Sequence, residues 1–100
     1  MMKEEVLHYL TRIPSGKVVT YGQIGEALGN RSYARAIGNI LHNNEDPLNY
    51  PCYKVVNSKG RLAANFGDKG GIETQKARLE ADGIEVRDYR VDLSRYQWKG

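Results

Sequence analysis

Hydrophobic residues near the start of the chain recur at helical spacing: Val6, Leu10 and Ile13, with Leu7 and Tyr9 beside them, predict a helix over 3–13. Pro14, Ser15 and Gly16 end it, because proline and glycine both oppose helix continuation. The run 17–20 is short and β-branched, hence extended, and Thr20 is placed to cap a helix from 21 or 22 to 28. Gly29 suits the left-handed residue that closes this helix, and Ser32 suits the N-cap of a second one reaching about 43. Two short helices joined by a glycine-containing turn have the form of a helix-turn-helix, in which the second is the recognition element.

The second helix has two distinct stripes. Tyr33, Ile37, Ile40 and Leu41 lie on one, which is expected to pack inward. Arg35, Gly38, Asn39 and His42, at i, i+3, i+4 and i+7, lie on the other. A surface helix normally carries bulky Lys and Glu, so this slim outer face suggests close approach either to a nucleic-acid groove or, through Ala34, Ala36 and Gly38, to another helix. Further on, 54–56 and 61–63 flank the turn-rich tetrad 57–60 and read as a β-hairpin, a wing after the helix-turn-helix. Its Lys54, Lys59 and Arg61 are expected to lie along phosphates. A glycine-containing loop follows over 63–71, and then a helix from Ile72 through Lys76 and Leu79 to about 82, closed by Gly83. The stretch 84–98 is rich in Tyr, Val and Arg, and Trp98 is expected to anchor it on the core. The fold class is mainly α with a small β-hairpin: a winged helix-turn-helix-like single domain over 1–100, with the tail 84–100 docked on it.

One hundred residues hold one modest core. Fifteen basic residues against twelve acidic give a net charge of +3, a mild bias toward an anionic partner. The basic charge is concentrated centrally, since no acid lies between positions 26 and 45 or between 46 and 68. The single cysteine excludes an intramolecular disulfide, and His8, His42 and Cys52 lack the spacing of metal ligands. With neither a signal-peptide core nor a membrane-length apolar run, the expectation is a cytoplasmic monomer that uses no membrane.

That cysteine sits in Asn49-Tyr50-Pro51-Cys52-Tyr53-Lys54-Val55-Val56, at a corner stiffened by proline. A lone cysteine is either a small buried hydrophobe or a nucleophile. Pro-Cys-X-basic-Val-Val, preceded by Val-Thr-Tyr-Gly-Gln-Ile and Ala-Arg-Ala-Ile-Gly, resembles the DNA-binding domain of the O6-alkylguanine-DNA alkyltransferases over about 18–83. In length the chain looks like the short alkyltransferase-like form.

The resemblance implies a DNA-repair protein that binds duplex DNA in the minor groove and flips O6-alkylguanine, since the substituted atom is otherwise inside the stack. It assigns Tyr21 to the adjacent phosphate and the flipped base, and Arg35 to the vacancy in the stack. Gly38 and Asn39 would face the groove, and Asn44 would brace the loop before the cysteine. Pro51, Cys52, Val55 and Phe66 would line the base pocket with Tyr21. Cys52 is the implied alkyl acceptor in a single turnover, and no cofactor is called for, because the alkyl donor would be the DNA itself. The family's activating relay is altered, with Tyr53 in place of histidine, Asp82 in place of glutamate and Lys54 in place of arginine. Tyrosine is a weak base at neutral pH, whereas transfer needs a thiolate. The alternative is therefore a non-enzymatic lesion sensor that hands the alkylated base to nucleotide excision repair proteins. A winged-helix transcriptional regulator is a third class, which leaves Pro51-Cys52 unexplained.

Overall fold

The computed structural model describes residues 2–44, 46, 49–62 and 71–99. The pocket aromatic Phe66 and the loop around it lie outside these residues. The first helix, α1 (Met2–Leu10), turns Val6, Tyr9 and Leu10 inward. It stops short of Ile13, and 11–13 continue as single turns in which Ile13 N donates to Leu10 O at 3.3 Å.

Strand β1 (Val19–Thr20) leads into α2 (Tyr21–Ala27), where Thr20 forms a capping box with Gln23. Gln23 N donates to Thr20 Oγ1 at 3.1 Å and Thr20 N donates to Gln23 Oε1 at 3.3 Å. The turn that follows is tight enough to require glycine at position 25, where a Cβ would sit 2.8 Å from Asn30 O. The second helix begins differently from the expectation, because Asn30 rather than Ser32 is the cap. Asn30 is extended and its Oδ1 accepts from Ser32 N at 2.9 Å, starting a 3-10 turn, Arg31–Tyr33, ahead of α3 (Ala34–His42). Ile37 and Leu41 are buried in α3, while Arg35, Asn39 and His42 are exposed.

Among the described residues, the expected hairpin between 54–56 and 61–62 does not form. Strand β2 (Val55–Val56) instead pairs in parallel with β1, Val19 opposite Val55 and Thr20 opposite Val56. Both faces of this pair are covered, as parallel strands require. Val19 and Val55 enter a core with Val6, Leu10, Ile24, Ile37 and Cys52, whereas Val18 and Val56 enter a second one with Leu79, Ile84 and Val91.

The segment 60–62 pairs antiparallel with the tail, Leu62 N donating to Tyr89 O at 3.0 Å and Val91 N to Gly60 O at 2.8 Å. After α4 (Gly71–Ala81), the tail makes its own hairpin from β3 (Val86–Arg87) and β4 (Arg90–Val91). Its two-residue turn has positive φ at Asp88 (50°) and Tyr89 (58°), the type I′ pattern. A short α5 (Leu93–Tyr96) follows, capped by Asp92. The Trp98 ring lies 5.8 Å from that of Tyr9 at a tilt of 56°, and its amide donates to Val18 O at 2.8 Å. The architecture is mainly helical with two small sheets, of the winged helix-turn-helix type, and no helix among the described residues is long and apolar enough to cross a membrane.

Candidate functional site

A cleft of about 640 Å³ runs between the start of α2, the outer face of α3 and the turn after β2. Tyr21 stands at its centre as the first residue of α2, fixed by the capping box immediately before it. Gly38 of α3 faces the phenol ring, and a Cβ there would lie 3.9 Å from Tyr21 Cε1, so the small residue leaves the ring accessible. Arg35 is exposed on the same wall, with Asn57 and Ser58 opposite. Arg31, also at the cleft, pairs with Glu26 at 3.3 Å in an exposed contact of little energetic weight.

Cys52 does not line this cleft, and neither do Pro51 and Val55: the cysteine is 5% exposed, in the 3-10 turn Cys52–Lys54, near enough to Tyr21 to act on its phenol. Burial pushes its thiol above the usual value; a hydrogen bond to the Asn44 side chain, its own backbone amide and the charge of Arg78 only partly oppose this. Burial and the neighbouring Cys52 also push the Tyr21 phenol up to about 12. At neutral pH both groups are protonated, so Tyr21 is a hydrogen-bond donor and Cys52 is a poor nucleophile. Asn44 ties down the loop leading to the thiol: its Nδ2 donates to Tyr50 O at 2.8 Å and its Oδ1 accepts from Asp46 N at 3.0 Å. Pro51 is half-buried at the edge of this turn. Val55 is wholly buried, and its carbonyl accepts from Gln75 Nε2 at 3.0 Å.

The altered relay is directed elsewhere. Lys54, expected along phosphates, is 6% exposed, and its Nζ donates to Ile13 O and Pro14 O, both at 3.2 Å. Those carbonyls follow the end of α1, where Pro14 O also accepts from Lys17 N at 3.3 Å, and the Asp82 carboxylate lies 3.7 Å from the same ammonium. Three acceptors therefore draw the side chain inward. Asp82 itself accepts from Ser15 Oγ at 2.6 Å and Gly16 N at 3.0 Å. Tyr53, half-buried between the two cores, has a phenol raised by burial and then by the charge of Asp82, with Arg78 opposing. A neutral phenol beside a committed carboxylate does not form a base for the thiol.

Arg78, which the sequence reading passed over, is near both Cys52 and Tyr53, and with Asp82 it lines a cavity of about 450 Å³. Its position one helical turn before Asp82 was the available signal. Lys59 and Arg61 are exposed on the turn after β2, where their amides both donate to Asn57 Oδ1 at 2.8 Å. Asn39 is exposed on α3 next to Gly38.

The helix-turn-helix, the pairing of 60–62 with the tail and the slim recognition face define a winged helix-turn-helix domain built around a single buried thiol. The family described as 6-O-methylguanine DNA methyltransferase, DNA binding domain, matches residues 1–84, and the chain belongs to it. Among similar proteins, the bifunctional methyltransferase/endonuclease of Picrophilus torridus is 46% identical over 89 residues, 89% of this chain but 29% of that protein. The DNA base-flipping protein of Vibrio parahaemolyticus is 35% identical over 96 residues, covering 95% of this chain and 93% of its own length. S. pombe Atl1, in a crystal structure with damaged DNA containing O6-carboxymethylguanine, superimposes with a TM-score of 0.88 at 34% identity, covering 98% of this chain and 94% of that one. The chain thus spans under a third of the Picrophilus protein and nearly all of the other two.

Proposed function

We propose that this domain recognises O6-alkylguanine in duplex DNA. The recognition helix α3 enters the minor groove, the damaged nucleotide turns out over Tyr21, and Arg35 takes its place in the stack. The observation that carries this reading is the cleft in which Tyr21 stands against Gly38, with Arg35 exposed on its wall and the buried Cys52 close enough to Tyr21 to act on its phenol. Extruding a base costs a few kcal/mol, which contacts to the flipped base and the filled vacancy must offset. The base-flipping relative from Vibrio and the Atl1 complex with alkylated DNA support the assignment.

Recognition without efficient transfer is the reading that fits the site best, because the thiol is held protonated and Asp82 is bound to Ser15, Gly16 and Lys54. The bound lesion is then the signal passed on, in the cytoplasm, by a monomer to nucleotide excision repair proteins. A second reading, single-turnover transfer to Cys52, is favoured by the retained thiol and by the positive charge of Arg78. Incubation with a duplex carrying one O6-methylguanine, followed by intact-protein mass spectrometry, separates the two. Retarded DNA with no mass gain is expected, and a methyl-sized gain confined to Cys52 establishes transfer. Equal affinity for damaged and undamaged duplex would refute both.

A further inference from the structure

We infer that the outer face of the sheet formed by 60–62 and the tail hairpin is a second phosphate-binding surface, taking the backbone of the same duplex beyond the lesion. The inference rests on the lesion-recognition reading above. Arg61 is the direct partner of Arg90, and the flanking bonds Leu62 N to Tyr89 O (3.0 Å) and Val91 N to Gly60 O (2.8 Å) make them a non-hydrogen-bonded pair. Side chains approach most closely in pairs of that kind. On its other side Arg90 is directly opposite Arg87. Directly opposed residues project from the same face, so three exposed arginines form one row across three strands.

Like charges opposite one another destabilise a sheet, and nothing buried depends on this row. The neighbouring acids answer only part of it. Glu85 holds Arg87 at 2.5 Å and reaches Arg95 at 3.3 Å. Asp92 is occupied in capping α5, its Oδ1 accepting from Ser94 N at 3.0 Å and Ser94 Oγ at 2.6 Å, and Asp88 acts on Arg87. Among the described residues no acid lies within ion-pair distance of Arg61 or Arg90.

The location selects the occupant. One turn carries both surfaces: Asn57 and Ser58 line the Tyr21 cleft, and the next residue, Lys59, lines a cavity of about 570 Å³ with Arg87 and Arg90. Lys59 is thus the step in the chain from the cleft wall to a cavity holding two arginines of the row, which Glu85 and Asp92 also line. Guanidinium groups bind phosphate oxygens through paired donors, which suits a phosphodiester backbone.

The test compares the full chain with its Arg61→Ala/Arg90→Ala variant, by fluorescence anisotropy across a salt series, on a duplex with one O6-methylguanine and on its undamaged match. Loss of two phosphate contacts is expected to reduce the slope of log K against log salt by about 1.8, roughly tenfold less affinity lost over a fourfold rise in salt. The preference for the damaged duplex stays within about twofold, since phosphate contacts carry no base information. The thermal midpoint is expected at or above that of wild type, because a repulsion has been removed, and an Arg61→Lys/Arg90→Lys variant should keep most of the slope. An Arg61→Gln/Arg90→Gln pair gives the same reading if the alanine variant fails to fold. An unchanged slope in a folded variant that still prefers the lesion overturns this surface, assigns the row to another partner such as an acidic protein, and leaves lesion recognition standing. Lost lesion preference also overturns it, by placing the arginines at the damaged base. Failure of the wild type to bind either duplex overturns both readings.

Discussion

Lys54 and Asp82 form a buried ion pair, Nζ to Oδ2 3.7 Å, with side chains 8% and 12% exposed. It ties the cysteine turn to the end of α4, while Lys54 also holds the carbonyls of Ile13 and Pro14 and Asp82 holds Ser15 and Gly16. Two positions that the alkyltransferase pattern uses next to its thiol thus serve here as a clamp joining the two cores.

Removing one partner of a buried pair leaves the other charge uncompensated. Asp82→Ala is therefore expected to cost about 3–5 kcal/mol, read as a lowered urea midpoint. Asp82 also predicts an acid limb. Burial alone would raise its carboxyl, but the Ser15 hydroxyl, the Gly16 amide and Lys54 outweigh that and hold it below the usual range. The folded state therefore binds this proton less readily than the unfolded state. The stabilisation is complete above the unfolded value of about 4 and is lost as pH falls through the lowered folded value. Urea midpoints from pH about 6 down to about 2 should fall less steeply in Asp82→Asn than in wild type, and equal slopes would count against the clamp.

The thiol gives a second expectation. With Cys52 raised by burial, its alkylation by iodoacetamide should be slow at neutral pH and still accelerating above pH about 8.5. Tyr53→His restores an imidazole but not a free carboxylate to orient it, because Asp82 remains bound to Ser15, Gly16 and Lys54. The gain in rate at neutral pH should stay below about tenfold, a tenfold rate corresponding to about 1.4 kcal/mol of barrier. A larger gain would show that Asp82 is available to the relay after all.

Local patterns in the chain predicted what local forces decide. The Thr20 cap, the two stripes of α3 and the Gly83 stop depend on neighbours within one or two turns, and each was readable from residue spacing. Pairing between distant segments was not. Val55 and Val56 look like one arm of a hairpin because a turn follows them, yet their partners are Val19 and Thr20. The tail hairpin was hidden because Asp88-Tyr89 lacks the Asn-Gly signal of a type I′ turn; Tyr89 is held there by Glu73, to which its hydroxyl donates, and by Lys76 over its ring at 5.4 Å. Lys54 was misjudged for a related reason: a cation in a basic stretch reads as surface, and the acceptors that bury it come from positions 13, 14 and 82.

The junction between the turn after β2 and the tail depends on one residue. Gly60 has φ +85°, and a Cβ there would fall 2.2 Å from Val91 O. Alanine must both adopt a left-handed conformation and displace strand β4, so Gly60→Ala should cost at least about 2 kcal/mol. Hydrogen exchange should show lost protection at Leu62 and Val91, whose amides bond across this junction, with little change in α1. Uniform loss across the chain would mean that the tail and the helical core unfold as one unit.

Arg35 and Cys52 separate stability from recognition. Arg35 is exposed on α3, so Arg35→Ala should leave the thermal midpoint nearly unchanged, within about 0.5 kcal/mol. If its side chain fills the vacancy left by the extruded base, the same change should weaken binding to an O6-methylguanine duplex by about 1–3 kcal/mol, or roughly 5-fold to 150-fold. Cys52 lies among Val19, Ile37, Leu41 and Val55 in the core, so Cys52→Ala should lower stability while changing lesion affinity by less than about threefold. Titration of both variants against the same duplex, with thermal melts alongside, checks the pair of outcomes. Equal losses of affinity would count against Arg35 filling the vacancy in the base stack.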